Sequence, residues 1–393
     1  MALPTGPQAQ ADRRASGGSR GRHILHVYKD YPPVKGGIEG HVALLARAQA
    51  AAGHRVTVLV TDPDGGGSEA DDQGVRVIRA GRLATIASTP LSLALPRRMA
   101  QLRPDLCHLH CPYPVAELAW LLRGRHPMVL TWHSDVVRQR LLGAVWSLGQ
   151  RMLLARADRV LATSPRYAAS SAFLRRVPPE RLRVVPLGIQ PPALRPDPGR
   201  ARERFGVGPN LVFVGQLRYY KGLGSLLEAL ALLRLESSGA LRPQLLVAGR
   251  GPMEKAWRAK GAALGLENQV RWLGALDDRD RDLLLAAGDL YVLPAVARSE
   301  AFGLALLEAM AAGLPLLSTE LGTGTSWVNQ HGVTGLVVPP KDPAALAEAL
   351  RRLLSDDEGR RAMGRAAEAR FDEHFTAAAM LAAVDAVYQE VLP

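Results

Sequence analysis

The chain is expected to fold as two tandem doubly wound α/β domains, Rossmann-like, with an interdomain cleft. Three observations predict this. The 393 residues exceed one typical domain and suit two, each large enough to bury its own core. Short β-branched or Leu-rich runs alternate with longer amphipathic stretches, the pattern of parallel sheets built from βαβ units. The alternation halts at a connector rich in proline (Pro186, Pro191, Pro192, Pro196, Pro198) and then restarts.

Residues 1–22 are rich in Gly, Ser, Ala and Arg, hold no apolar run of signal-peptide length and are expected to form a disordered extension. In the first half, His23–Tyr28, Arg55–Val60, Val75–Ile78, Asp105–Leu109, Met128–Trp132, Arg159–Ala162 and Leu182–Val185 read as strands. Ile38–Ala52 and Arg140–Ala157 read as amphipathic helices between them. In the second half, Leu211–Val214, Gln244–Ala248, Gln269–Leu273, Asp289–Leu293 and Leu314–Ser318 read as strands, with helices over Gly222–Leu233, Met253–Leu264 and Gly303–Ala312. The last stretch, Thr376–Val391, carries an apolar stripe with no strand after it and is expected to pack across the junction. The expected boundaries are a first domain over 23–190, a linker over 191–205, a second domain over 206–372 and a crossing helix over 373–393. Open α/β sheets bind ligands outside the carboxyl ends of their strands, so two facing sheets create one shared cleft.

Apolar residues make up 47% of the chain, which suits a globular protein. No segment approaches the roughly 20 uninterrupted apolar residues of a spanning helix, and a cytoplasmic location is expected. The two cysteines, Cys107 and Cys111, lie in Asp105-Leu106-Cys107-His108-Leu109-His110-Cys111, which invites a metal-site reading. A strand there puts Cys107, Leu109 and Cys111 on one face and His108 and His110 on the other, so the four ligands cannot converge. Buried thiols and a pocket-edge histidine are expected instead, with no metal and no disulfide.

Net charge is +12, and it is distributed unevenly. Residues 1–200 hold 28 Lys and Arg against 14 Asp and Glu, a balance of +14, and the remainder balances to −2. A basic half suits an anionic membrane surface or an anionic substrate, or is a compositional bias with solvated arginines. No nucleic-acid partner is expected, because the arginines are scattered and carry no recognised motif.

The strongest motif runs from Ser299 to Pro315. It places Glu300 just before a helix and Glu308 within it, eight residues apart. At 1.5 Å per residue this is roughly 12 Å, comparable with the sugar-to-ribose span of an extended sugar nucleotide. Each carboxylate can accept hydroxyls at one end, while the free N–H groups of Phe302, Gly303 and Leu304 at the helix start face the diphosphate. The plainer reading makes Glu300 a helix-start carboxylate and Glu308 a solvated helix charge.

This stretch resembles the Glu-x7-Glu signature of glycosyltransferase family four. Pro33–His41, Thr131–Asp135, Val184–Ile189 and Phe213–Gly222 agree with that resemblance, which extends from about residue 23 to the C-terminus. It implies a GT-B type fold of two Rossmann-like domains, acceptor-binding over 23–190 and nucleotide-sugar-binding over 206–372, and retaining transfer from a nucleotide diphosphate sugar. It also implies that backbone N–H groups at Gly36 and Gly37 approach the diphosphate or the acceptor. His133 would lie beside the donor sugar, and the turn Gly249-Arg250-Gly251-Pro252, through Gly251, near the nucleotide. Lys221 sits in a loop between strand and helix, where its charge can neutralise the leaving diphosphate. The family commonly has Arg directly after Gly215, and this chain has Gln216; Arg218 either replaces that phosphate contact or is an exposed arginine.

The expected mechanism is front-face departure of the nucleotide diphosphate, with Lys221 and the helix N-terminus stabilising its charge, Glu300 holding sugar hydroxyls and His133 flanking the sugar. No cofactor beyond the donor and no metal is expected. The resemblance to bacterial mannosyltransferases of surface-polysaccharide assembly makes GDP-mannose the leading donor, with UDP-sugars open, and a lipid-linked or oligosaccharide acceptor. A two-domain sugar-nucleotide epimerase and a catalytically silent sugar-binding partner are the rival readings. Val136–Ala157, with Arg138, Arg140, Arg151, Arg156 and Trp146, reads either as an interfacial helix against anionic lipid or as an ordinary core-facing helix.

Overall fold

In the computed structural model, which describes residues 21–86, 88–135, 140–236 and 242–392, two parallel sheets follow one another along the chain. The first half contributes β1 (His23–Val27), α1 (Gly37–Ala51), β2 (Arg55–Asp62), β3 (Ser68–Asp72), β4 (Val75–Gly81), β5 (Ala84–Ile86) and β6 (Thr89–Leu91). It continues with α2 (Ala94–Gln101), β7 (Leu106–Cys111), α3 (Pro114–Arg123), β8 (Met128–Trp132), α4 (Arg140–Arg156), β9 (Arg159–Ala162), α5 (Pro165–Ser170) and β10 (Leu182–Val184). The sheet order is β10-β9-β8-β7-β1-β2-β4-β3, parallel except at β3, and β5 and β6 form a separate hairpin.

After α6 (Pro198–Phe205) the second half follows: β11 (Asn210–Val214), α7 (Leu223–Glu236), β12 (Gln244–Ala248), α8 (Glu254–Ala263), β13 (Val270–Gly274), α9 (Asp278–Ala286) and β14 (Leu290–Leu293). Then come α10 (Leu304–Ala311), β15 (Leu316–Thr319), α11 (Thr325–Val328), β16 (Gly335–Val338), α12 (Pro343–Ser355), α13 (Asp357–His374) and α14 (Ala377–Val391). Its sheet, β13-β12-β11-β14-β15-β16, is parallel throughout.

The apolar runs read from the sequence are the central strands, buried on both faces as parallel strands are. Several of the elements that the sequence reading lacks carry no long apolar signal, although the amphipathic α12, which buries six of its side chains, is also among those it lacks. β3, Ser-Glu-Ala-Asp-Asp, is an exposed edge strand held by its antiparallel pairing to β4 and by the Arg76–Glu69 ion pair at 2.8 Å. α2 and α3 are too short to repeat an apolar stripe. β7 begins at Leu106 because Asp105 is used as an acceptor, taking the His23 N–H at 2.7 Å. The expected extension over 1–22 lies almost wholly outside the described residues.

Within the Pro-rich connector, Asp197 caps α6 by accepting from Gly199 and Arg200 N–H groups, and Ala201 and Phe205 enter the core of the second domain. Residues 198–205 are therefore a docked helix rather than free linker.

The chain crosses between the domains twice at one place. Ile189 N donates to Phe375 O at 3.0 Å and Ala377 N to Ile189 O at 2.9 Å, tying the outward strand to the returning one. Thr376 then caps α14. Met380, Val384, Val387 and Tyr388 of α14 pack on Ile24, Leu106, Val129, Leu161 and Val185, so the last helix completes the core of the first domain.

α4 spans much of the stretch read as an interfacial helix. Arg138 and the Arg140 side chain lie outside the described residues. Trp146 is directed inward, donating to Glu117 Oε2 at 2.6 Å, and Arg156 donates to Leu121 O at 2.7 Å. Trp146 is half-buried and Arg156 is exposed, and Leu148 and Met152 are exposed as well, as are Leu118 and Leu122 on neighbouring α3.

Gly188 tests the crossing. A Cβ there would overlap the Thr376 carbonyl oxygen and press on Met380. Gly188→Ala is expected to cost about 1–3 kcal/mol, read as a lower urea midpoint. Gly208→Ala, where a Cβ meets open space, should leave the midpoint nearly unchanged; equal effects would show that the crossing is not tightly packed.

Candidate active site

Each sheet reverses its strand order once, between β1 and β7 in the first and between β11 and β14 in the second. Loops diverge at such a point and leave a crevice at the carboxyl ends of the strands. Gly36 and Gly37 follow β1, and His133 follows β8. Gln216, Arg218 and Lys221 follow β11, Gly251 follows β12, and Glu300, Phe302 and Gly303 follow β14. The two sets meet: a Cβ on Gly37 would lie 2.9 Å from Leu304 Cδ1, and Gln216 donates to Lys35 O at 3.1 Å. Arg218 in turn donates to Gln216 Oε1 at 2.8 Å, so Gln216 links the first-domain loop to Arg218.

Lys221 and Glu300 form the centre of the second-domain side. Both are buried, and Nζ lies 2.6 Å from Glu300 Oε2. The loops carrying them are joined by the Val296 N–H donating to Tyr220 O at 2.8 Å. Gly222 is left-handed at φ 70°, and a Cβ there would run into the Pro294 carbonyl oxygen, so only glycine lets the two loops close. Burial alone would lower the pKa of the lysine, but Glu300, with Tyr220 and Glu308, outweighs it and the net shift is upward. Lys221 is therefore cationic at neutral pH. Glu300 Oε2 finds no hydrogen bond of good geometry despite the close charge, which leaves it able to accept a ligand hydroxyl.

α10 starts at Leu304 rather than at the expected Gly303, because Gly303 stands before it as a left-handed cap at φ 83°. Phe302 is turned into the core, its ring 6.2 Å from that of Phe375, so only its backbone can serve a ligand. Gly251 packs directly on the backbone of Leu217, which brings the loops after β11 and β12 together.

Glu308, one turn into α10, faces Arg281 of α9, Nη1 to Oε1 3.4 Å. Burial raises its carboxyl pKa, opposed by Arg281. A cavity of about 420 Å³ adjoins the pair, lined also by Asp282, Leu285, Pro192 and Arg195. Arg281 was not singled out from the sequence, since in Asp-Arg-Asp-Arg-Asp it reads as one more surface charge.

On the first-domain side the structure assembles five buried histidines. The strand alternation holds, with Cys107, Leu109 and Cys111 in the apolar core and His108 and His110 opposite. Burial pushes the Cys107 thiol up to about 12. The expected pocket-edge histidine is corrected, because His108 and His110 are both interior. They stack in one row with His26 and His133, and His41 of α1 packs edge-on to His110 and His133. Ring nitrogens of His41, His110 and His133 lie within 4.8 Å of one another, close enough for one metal ion to bridge. The alternation that separates the cysteines from the histidines is what gathers these imidazoles.

Burial lowers His26 to about 4 and, with His26 as neighbour, His41 to about 3. Burial first, then neighbouring imidazoles, holds His108, His110 and His133 well below their usual range. The unfolded chain, titrating near 6.5, therefore binds more protons than the folded chain at mildly acidic pH, and stability rises with pH there. It is fully present above about pH 6.5 and falls as pH drops towards 4. For His26 alone the loss from pH 6.5 to 5 is about 2 kcal/mol. Urea midpoints at constant m-value should fall across that interval; a flat profile would mean that the cluster is already solvated or charged.

The fold agrees with what the chain is similar to. Residues 35–191 match the family described as Glycosyltransferase Family 4, and residues 200–370 match Glycosyl transferases group 1. D-rhamnosyltransferase WbpZ of Pseudomonas aeruginosa is 39% identical over 365 residues, 90% of this chain and 92% of that protein. O-antigen chain mannosyltransferase C of Escherichia coli is 37% identical over 375 residues, 94% and 98% of the two chains. Among solved structures, sucrose-phosphate synthase from Thermosynechococcus elongatus superposes with a TM-score of 0.76 at 24% identity, covering 94% of this chain and 98% of that one, a likeness of fold. With both halves matched and relatives of this identity along nearly its whole length, the chain belongs to the family 4, group 1 glycosyltransferases and is a glycosyltransferase of the GT-B type.

Proposed function

We propose that the protein transfers a hexose, mannose, with retention from GDP-mannose to a lipid-linked or glycan acceptor in surface-polysaccharide assembly. The buried Lys221–Glu300 pair at the crevice between β11 and β14 carries the reading. A sugar nucleotide laid along α10 places its sugar hydroxyls at Glu300, its diphosphate at Lys221 and the α10 start, and its ribose at Glu308. As the bond to the anomeric carbon breaks, negative charge grows on the diphosphate, and a cation already desolvated there stabilises it without reorganisation. Arg218 stands beside Gln216 as a second cation, so charge neutralisation needs no divalent ion. Backbone at Gly36 and Gly37 closes on the diphosphate from the first domain, His133 flanks the sugar, and Gly251 shapes the loop towards the nucleotide. The mannosyl- and D-rhamnosyltransferase relatives support a hexosyl donor and the polysaccharide setting.

The first domain is also proposed to rest against an anionic membrane surface. Exposed Leu118, Leu122, Leu148 and Met152 on α3 and α4 lie in the half that carries the +14 charge balance.

Three experiments test these readings. Incubation with radiolabelled GDP-mannose and lipid extract should move label into lipid, and Lys221→Ala should lower turnover about a hundredfold or more. GDP should raise the thermal midpoint more than UDP. Preferential stabilisation by UDP overturns the donor, and near-normal turnover of Lys221→Ala removes it from the mechanism. For the membrane, the protein should sediment with anionic but not neutral liposomes at low salt. Arg151→Gln with Leu148→Ser and Met152→Ser should weaken this, and equal recovery in both supernatants ends the idea.

A further inference from the structure

The histidine row ends on a side chain that the site does not otherwise use. His133 Nε2 lies 3.1 Å from His110 Nδ1, His110 Nε2 3.1 Å from His26 Nδ1, and His26 Nε2 2.7 Å from Gln49 Oε1 on α1. Gln49 is itself buried. A neutral imidazole carries one N–H and one lone pair, so in an unbroken row the choice made at one end is passed to every ring. A carbonyl oxygen can only accept. His26 Nε2 must then hold its proton, which leaves His26 Nδ1 to accept from His110 Nε2–H, and His110 Nδ1 to accept from His133 Nε2–H. The last atom, His133 Nδ1, is left with a lone pair, and it is a buried nitrogen with no partner among the described residues. Tyr28 and His41 pack around the same ring, and neither makes a hydrogen bond to it.

We propose that Gln49 sets the proton register of the row His26–His110–His133, so that His133 offers its bare Nδ1 as a hydrogen-bond acceptor to a sugar hydroxyl. Gln49, His26 and His110 are thereby positioning residues, and His133 selects ligands that bring a hydroxyl donor to that point. The inference rests on the reading of His133 as a neighbour of the sugar. The register itself can be measured without any ligand. A buried nitrogen lacking a partner is satisfied when such a hydroxyl arrives, which is how the register becomes affinity.

The test uses the full chain with ¹⁵N-labelled histidine and long-range ¹H–¹⁵N correlation at neutral pH, which reports the tautomer of each ring. His26, His110 and His133 should all be protonated at Nε2. Gln49→Met keeps the length but removes the acceptor, and should shift the His133 signals towards exchanging tautomers while the thermal midpoint stays cooperative. Its kcat/KM should fall about tenfold, as for one lost hydrogen bond. A wild-type His133 protonated at Nδ1, or a stoichiometric transition metal bound at His41, His110 and His133 in place of the protons, overturns the proposal. With the register found as stated, an Nδ1 resonance that moves on adding GDP-mannose supports the sugar contact. One unmoved by GDP-mannose or UDP-glucose overturns the place of His133 beside the sugar and leaves the role of Gln49 standing.

Discussion

The active-site architecture depends on one buried ion pair, Lys221 with Glu300. Removing two charges from water costs several kcal/mol each, so neither is tolerated at that depth without the other. The pair requires the loops after β11 and β14 to touch, and they touch because Gly222 adopts φ 70° against Pro294 and because Tyr220 O takes the Val296 N–H. Glu300 Oε2 lies beside the Lys221 cation and is short of a hydrogen bond, so it keeps the capacity to accept one.

The second constraint is continuity across the two domains. The chain leaves the first domain at residues 185–189 and returns at residues 375–377, where the two passes bond to each other. α14 then supplies apolar side chains to the first sheet, and Tyr388 reaches His108 Nδ1 at 2.6 Å. The first domain is thus finished by the last residues of the chain, and the far face of the histidine row is sealed by an element from beyond the second domain. At the cleft the contacts are of both kinds: Leu304 approaches Gly37 and Ala301 joins the apolar core of the first domain, while Gln216 donates to Lys35 O, Arg298 to Ser170 at 3.0 Å, and Arg166 pairs with Glu320 at 2.5 Å.

The histidines show how a strand pattern becomes a chemical device. Parallel neighbours align His26 with His108 in register, and the period of two places His110 on the same face of β7. β8 ends so that His133 follows as the next ring in the row. Five imidazoles in an interior without a carboxylate among them are neutral for want of solvation, and neutral rings can pass hydrogen-bond direction without carrying charge.

Much of this was legible in the residues. Apolar runs of strand length marked the central strands and the prolines marked the crossing region, because each signal is local, and the sequence also singled out Lys221 and Glu300, which the structure brings together as a buried pair. What the sequence did not reveal is what depends on partners distant in the chain. β3 exists through its pairing, α6 through docking of Ala201 and Phe205, and Arg281 matters only because α9 lies beside α10. Gln49 and His26 are ordinary residues of a helix and a strand until folding brings them to His110, 84 residues from His26. The sequence by itself determined the central strands and several of the helices between them, since periodicity and turn chemistry act over a few residues. Only the tertiary structure decided which buried groups face one another, because pairing and hydrogen-bond direction depend on distances in space that no local spacing encodes.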